Sequence, residues 1–153
     1  MIEPGQTAPD FTLPRDGGAM VTLSEQRPDK VVLYFYPKDN TPGCTTEALD
    51  FSALAADFAA AGVKVFGISR DSVKKHDNFC AKHGLKVALL SDEEGSTCEA
   101  YGVWVEKQNY GKTYMGIERS TFLINGSGEI AQVWRKVKVK DHAAEVLAAA
   151  RGL

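Results

Sequence analysis

Apolar residues run unbroken from Val31 to Tyr36, and all but Leu33 are β-branched or aromatic. That pattern predicts a strand buried on both faces, ended by Pro37. A helix is predicted over residues 45–61, with Phe51, Leu54 and Phe58 along one stripe and Gly62 as its stop. Val63 to Ser69 reads as the next strand. Asp71 and Ser72 can cap a helix running to about His83 and ending at Gly84. A short strand over residues 87–91 and a short helix over 94–101 follow. Two further apolar runs, 120–124 and 130–134, flank Asn125-Gly-Ser-Gly128, a strong hairpin signal. The chain closes on an Ala-rich helix over 141–151, with Val146, Leu147 and Ala150 on one side. Strand–helix–strand first and hairpin–helix last predicts an α/β fold with a central mixed sheet flanked by helices.

No linker, repeat or low-complexity stretch interrupts the 153 residues, so they read as one domain, 1–153. A formal net charge of −2 gives no electrostatic reason to expect nucleic acid or a membrane surface as partner. The basic run Arg135-Lys-Val-Lys-Val-Lys140 reads as a solvated strand edge. Met1-Ile-Glu-Pro-Gly is charged and broken by proline, unlike a secretory leader, and no apolar run approaches the roughly 20 residues of a membrane span. Three cysteines, Cys44, Cys80 and Cys98, are too few and too dispersed for a structural disulfide framework. A reducing, cytoplasmic setting is expected, with any disulfide transient.

Cys44 stands out among the three. It follows the polar, turn-like Thr41-Pro-Gly, and a helix-forming run begins just after it. The sulfur therefore falls in the first turn of a helix, where free backbone N–H groups and the positive dipole end favour a thiolate. A buried packing cysteine is the commonplace alternative.

The spacing Pro37-x-x-x-Thr41-x-x-Cys44 resembles the active-site signature of the peroxiredoxins, thiol peroxidases on a thioredoxin-like fold. The wording Tyr36-Pro-Lys-Asp-Asn-Thr-Pro-Gly-Cys-Thr-Thr-Glu47 is most similar to the peroxiredoxin Q, or bacterioferritin comigratory protein, group. Tyr114-Met-Gly-Ile-Glu-Arg-Ser-Thr-Phe-Leu-Ile124 resembles the strand bearing that family's active-site arginine, and Gly5-Gln-x-Ala-Pro-Asp-Phe-Thr-Leu13 also fits. The resemblance implies reduction of hydrogen peroxide and organic hydroperoxides by Cys44, no cofactor and no metal. It also implies recycling by thioredoxin or glutaredoxin and a monomer. Arg119, whose plain alternative is a surface ion pair with Glu118, would then hydrogen-bond both sulfur and peroxide oxygen. Thr41 would accept the peroxide proton while donating to the thiolate, or simply cap the helix. Pro37 would shield the sulfur from water. Glu47 would orient its neighbours, and Tyr114 and Met115 would form an apolar collar.

Many peroxiredoxin Q sequences place a resolving cysteine five residues after the first, on the same helix; here that position is Leu49. Another subgroup carries it about 36 residues on, which lands on Cys80. The resemblance thus implies Cys80 as the resolving thiol, with local unwinding of both helices to meet disulfide geometry. Val73, His76 and Cys80 also form one stripe, as a packed helical cysteine would. Cys98 reads as inert packing. A competing class is a metal-binding or redox-sensing module using His76-x-x-x-Cys80-x-x-His83, and thioredoxin-type exchange is weakened by the absence of a Cys-x-x-Cys pair.

Overall fold

Val31, Leu33 and Phe35 enter one apolar cluster while Val32, Tyr34 and Tyr36 enter another. Side chains alternate across a strand, so a continuous apolar run is the signature of two buried faces. The computed structural model, which describes residues 2–153, opens with an antiparallel pair, β1 (Thr12–Pro14) and β2 (Met20–Thr22). A 3-10 turn over Leu23–Gln26 leads into β3 (Lys30–Phe35). Then come α1 (Pro42–Ala53), α2 (Ala55–Ala60), β4 (Val63–Ser69), α3 (Val73–His83), β5 (Ala88–Ser91) and α4 (Ser96–Ala100). A hairpin, β6 (Trp104–Asn109) and β7 (Lys112–Ile117), precedes β8 (Ser120–Ile124), β9 (Ile130–Trp134) and α5 (His142–Arg151).

The five-stranded sheet has the order β5-β4-β3-β8-β9. β3 pairs in parallel with β4 and antiparallel with β8, so the sheet is mixed, as expected of a thioredoxin-like fold. Phe51, Phe58, Phe79, Val146 and Leu147 bring α1, α2, α3 and α5 onto one face. The other face receives Leu23, Cys98, Tyr101 and Val103.

Two expectations need correction. The helix foreseen over 45–61 begins earlier, at Pro42, because an extended Thr41 and a proline in the first turn make a ready helix start. It breaks at Leu54 (φ −100°, ψ 6°), where an i→i−3 bond to Phe51 tightens the last turn. The basic run after Trp134 is no strand edge: Lys136 is left-handed (φ 50°), and Val137 N–H donates to the Arg119 carbonyl at 2.9 Å. The β6–β7 hairpin was not foreseen, since most of its residues are exposed and carry no alternation of apolar and polar positions.

Gly67 lies opposite Tyr34 in the parallel register, and a Cβ there would sit 2.6 Å from Tyr34 Cζ and 2.8 Å from Leu89 Cδ2. Both neighbours are fully buried and have nowhere to retreat. Gly67→Ala should cost about 1–3 kcal/mol, seen as a lower urea midpoint with little change in slope.

Candidate active site

Cys44 is the third residue of α1 and 2 % exposed. Pro42 carries no N–H, and the Gly43 and Cys44 amides lie in the first turn, where no helical carbonyl is available to them. The positive end of the α1 dipole therefore surrounds the sulfur. Arg119, between β7 and β8, completes that environment. Its Nη2 donates to Cys44 Sγ at 3.4 Å and its Nη1 to Glu47 Oε1 at 2.6 Å. The partner is Glu47, one turn along the same helix, and not the adjacent Glu118. A Cβ on Gly43 would lie 3.2 Å from Nη2, so the bare glycine leaves the guanidinium room to approach.

Glu47 is almost wholly buried, and its Oε2 has no hydrogen-bond partner among the described residues. Burial pushes its carboxyl up to about 7, against the opposing pull of Arg119. Burial alone would lower the Arg119 value, but Glu47 and Cys44 outweigh it and hold the guanidinium above its ordinary range. One permanent cation is thus shared between a sulfur and a carboxylate in a site that excludes most water.

Thr41 and Pro37 sit on the loop between β3 and α1. Thr41 departs from expectation in one respect: its hydroxyl donates to the Lys38 carbonyl at 2.7 Å, within the loop. The proton is committed there, and the oxygen's lone pairs remain available as acceptors. It makes no side-chain cap to the helix. Pro37 borders an open groove of about 370 Å³ with Arg70, Trp104, Lys107, Tyr114 and Met115. Tyr114 and Met115 are about half exposed on its wall, so they form one side of a groove and not a closed collar.

Cys80 lies on α3, half-buried against the second apolar cluster, and burial pushes its thiol up to about 12. Cys98 is fully buried, its amide held by Asp92 Oδ2 at 2.7 Å; burial and Asp92 both push its thiol up. All three cysteines are free thiols. The helix face of His76, Cys80 and His83 does not assemble as a ligand set. His76 is buried with both ring nitrogens engaged, by Asp39 and the Leu90 carbonyl, while His83 packs edge-on against Phe79. Asp39, Asp71 and His76 do bring possible ligand atoms within 4.8 Å, but hydrogen bonds from the protein's own groups already occupy them.

The AhpC/TSA family matches residues 4–133. A putative peroxiredoxin bcp of Coxiella burnetii is 55 % identical over 146 residues, covering 95 % of this chain and 97 % of that one. The chain belongs to the AhpC/TSA family. Peroxiredoxin Bcp of Bacillus subtilis is 54 % identical over 95 % of this chain and 93 % of its own length. Two solved structures of Xanthomonas campestris peroxiredoxin Q are each 50 % identical, cover 97 % of this chain and 97 % and 98 % of theirs, and superpose with TM-scores of 0.91 and 0.92. They carry serine for cysteine at two positions 36 residues apart. This AhpC/TSA member is of the peroxiredoxin Bcp type and is a thiol-dependent peroxidase.

Sequence reasoning missed Lys107, Asp39 and the main role of His76. Lys107 lies on β6, and burial, with the nearby charge of Arg119, holds its ammonium below the ordinary lysine range. Asn109-Tyr-Gly111, a turn with two left-handed residues, was the signal that could have revealed its hairpin. Asp39, in a polar loop, gave none. No helix among the described residues is long and apolar enough to cross a membrane.

Glu47 supplies a pH test. Its folded value lies above the 4.5 of a free glutamate, so the folded state binds more protons between those values and loses stability as pH rises through the window. Urea unfolding should show the wild type falling relative to Glu47→Gln between pH 4.5 and about 7, with parallel behaviour outside it. An identical pH dependence of the two proteins across that range would contradict the assignment.

Proposed function

We propose that Cys44 is the peroxidatic nucleophile of this enzyme, and the observation that carries the reading is the Arg119 fork reaching both Cys44 Sγ and Glu47. A thiolate at Cys44 attacks the terminal oxygen of a hydroperoxide. The sulfur gains an S–O bond, the O–O bond breaks, and the departing oxygen leaves as alkoxide or hydroxide and takes up a proton. Sulfur is oxidised to the sulfenic acid and the peroxide is reduced to an alcohol or water. Arg119 favours the thiolate by its charge and hydrogen-bonds the oxygens as negative charge moves onto them. Thr41 Oγ1, with its own proton given to Lys38, accepts the hydroperoxide O–H and orients it. Pro37 closes the water side, and Glu47 holds Arg119 in place.

Cys80 is the resolving thiol in this reading. Cys44–SOH and Cys80–SH give a Cys44–Cys80 disulfide and one water. The 36-residue separation equals that of the two cysteines replaced in the X. campestris structures, which supports the pairing. Both cysteines lie within helices, and Cys80 is a half-buried thiol whose value burial pushes up to about 12 while α3 is intact. Opening of α3 and of the first turn of α1 serves both needs at once, bringing the sulfurs together and exposing Cys80 to water. A dithiol reductant of the thioredoxin class, or glutaredoxin, then restores both thiols, in the reducing cytoplasm and with the enzyme as a monomer.

Peroxide consumption in a thioredoxin-coupled assay should vanish in Cys44→Ser and stay near wild type in Cys98→Ser. Non-reducing peptide mapping of peroxide-treated protein should recover a Cys44–Cys80 peptide as the main disulfide; a dominant Cys44–Cys98 peptide would overturn the pairing.

Arg119→Met separates two roles of the guanidinium. The single-turnover rate should stay about 100-fold or more below wild type even at pH values where Cys44 is fully ionised. Full recovery at high pH would leave Arg119 as an ionising group alone.

A further inference from the structure

His76 stands one helical turn before Cys80 on α3, and Asp39 follows the strand that leads to Cys44. Their side chains meet in the interior, His76 Nδ1 to Asp39 Oδ2 at 2.7 Å, at 0 % and 2 % exposure. His76 Nε2 faces the Leu90 carbonyl at 2.9 Å. The Leu90 carbonyl can only accept, so Nε2 carries a proton, and a second proton lies in the bond between Nδ1 and Asp39 Oδ2. Asp39 is held in turn by two further hydrogen bonds, the second braced by Ser69. Tyr36, just past the end of β3, donates to its Oδ1, its own N–H donates to Asp71 Oδ2 at 2.9 Å, and Ser69 Oγ donates to that same Asp71 oxygen at 2.7 Å. The Cys44 loop and the Cys80 helix are therefore joined by one buried ion pair.

We propose that the Asp39–His76 pair is a latch that holds the Cys80 helix closed against the Cys44 loop and sets how often the two cysteines meet. The inference rests on the reading of Cys80 as the resolving thiol and adds the residues that govern its release. Asp39 and His76 are positioning residues, since neither touches the reacting sulfurs. With the latch closed, Cys44–SOH waits in the folded site, where a second hydroperoxide can oxidise it to the sulfinic acid and leave as alcohol or water. With the latch open, Cys80–SH attacks Cys44–SOH, the S–S bond forms, and water departs. Latch strength thus divides the sulfenic acid between recycling and over-oxidation.

The groups facing His76 are Asp39 on the loop, Asp71 before α3, and the Leu90 carbonyl on β5. Burial alone would lower the imidazole, but the hydrogen bond and charge of Asp39, with Leu90 and Asp71 behind them, raise it above the ordinary 6.5. A group raised on folding contributes fully below its unfolded value and loses that contribution as pH rises through its folded one. The latch is accordingly strongest in acid and slackens toward alkaline pH.

Hydrogen exchange of the α3 amides in the reduced enzyme, corrected for intrinsic rates from about pH 6 to 9, reads the latch without any chemistry at sulfur. Wild-type protection should fall with pH. His76→Gln and Asp39→Asn should each lose roughly tenfold or more in protection at the acid end and show little pH dependence. Asp39→Asn keeps the shape and an acceptor at the site, which guards against a variant that merely fails to fold. The double variant should lose no more than either single change, because one interaction is removed. After one equivalent of hydrogen peroxide, quenched-flow trapping should show disulfide forming roughly tenfold faster in both variants, with less sulfinic acid at high peroxide. Wild-type protection that is flat with pH, or unchanged in the variants, would overturn the latch. Cys80→Ser separates the two readings: its α3 exchange should keep the wild-type pH response. If wild-type Cys44 pairs elsewhere while that response persists, the resolving assignment fails and the hold of the pair on α3 stands. A Cys44–Cys80 bond forming at wild-type rate in both latch variants would sink the latch alone.

Discussion

Burial of β3 on both faces is the constraint from which the site follows. Val31 to Phe35 must pair on both edges, since no water is present to satisfy their backbone groups. β4 takes one edge in parallel and β8 the other antiparallel, with Phe35 opposite Ser120. The antiparallel register brings the start of β8 to the end of β3. Arg119, immediately before Ser120, is thereby delivered to the loop that carries Cys44. A shift of one residue would turn the whole apolar set of β8 to the wrong faces, so core packing enforces the position of the guanidinium. The meeting of Arg119 with Cys44 is set up by the same forces that build the sheet.

Two buried ionic arrangements share the end of that strand. In the first, Arg119 divides its hydrogen bonds between Cys44 and Glu47; in the second, Asp39 holds His76. Desolvating such groups is costly, and a close partner offsets only part of the cost. The arrangements differ in how completely they are satisfied. Among the described residues Glu47 keeps one oxygen unpartnered, whereas both Asp39 oxygens and both His76 nitrogens are engaged. The under-satisfied arrangement around the sulfur is the one the proposed peroxidatic role of Cys44 draws on, since its cation is only partly committed to Glu47. A fully satisfied pair beside it serves to hold structure, and it spans the two elements whose separation the disulfide reading requires.

The elements were legible where burial is two-sided or a stop signal is strong. β3, β4, the Asn125–Gly128 turn and the Gly84 end of α3 all lie where the pattern put them, because each rests on local sterics or on a periodicity that packing reinforces. Exposed pieces were poorly legible. The β6–β7 hairpin carries Lys107, Tyr114 and Met115 to the groove, yet its half-solvated strands leave no alternation to read. Residues 135–140 alternate like a strand, but the chain turns at a left-handed Lys136 and runs beside Arg119 as a loop.

Sequence alone determined the helix-start placement of Cys44, the Pro37–Thr41–Cys44 spacing and the α/β order, because these depend on residues close together along the chain. It also supplied the resemblance that singled out Arg119 and Cys80. Tertiary structure decided the partners. That Arg119 pairs with Glu47 and not Glu118, that the Thr41 hydroxyl donates to Lys38, and that His76 pairs with Asp39 all depend on contacts the chain makes only once folded. Asp39 is the sharpest case. A charged residue in a polar loop reads as solvated, and only the packing of α3 over the end of β3 removes its water and gives it a histidine in exchange.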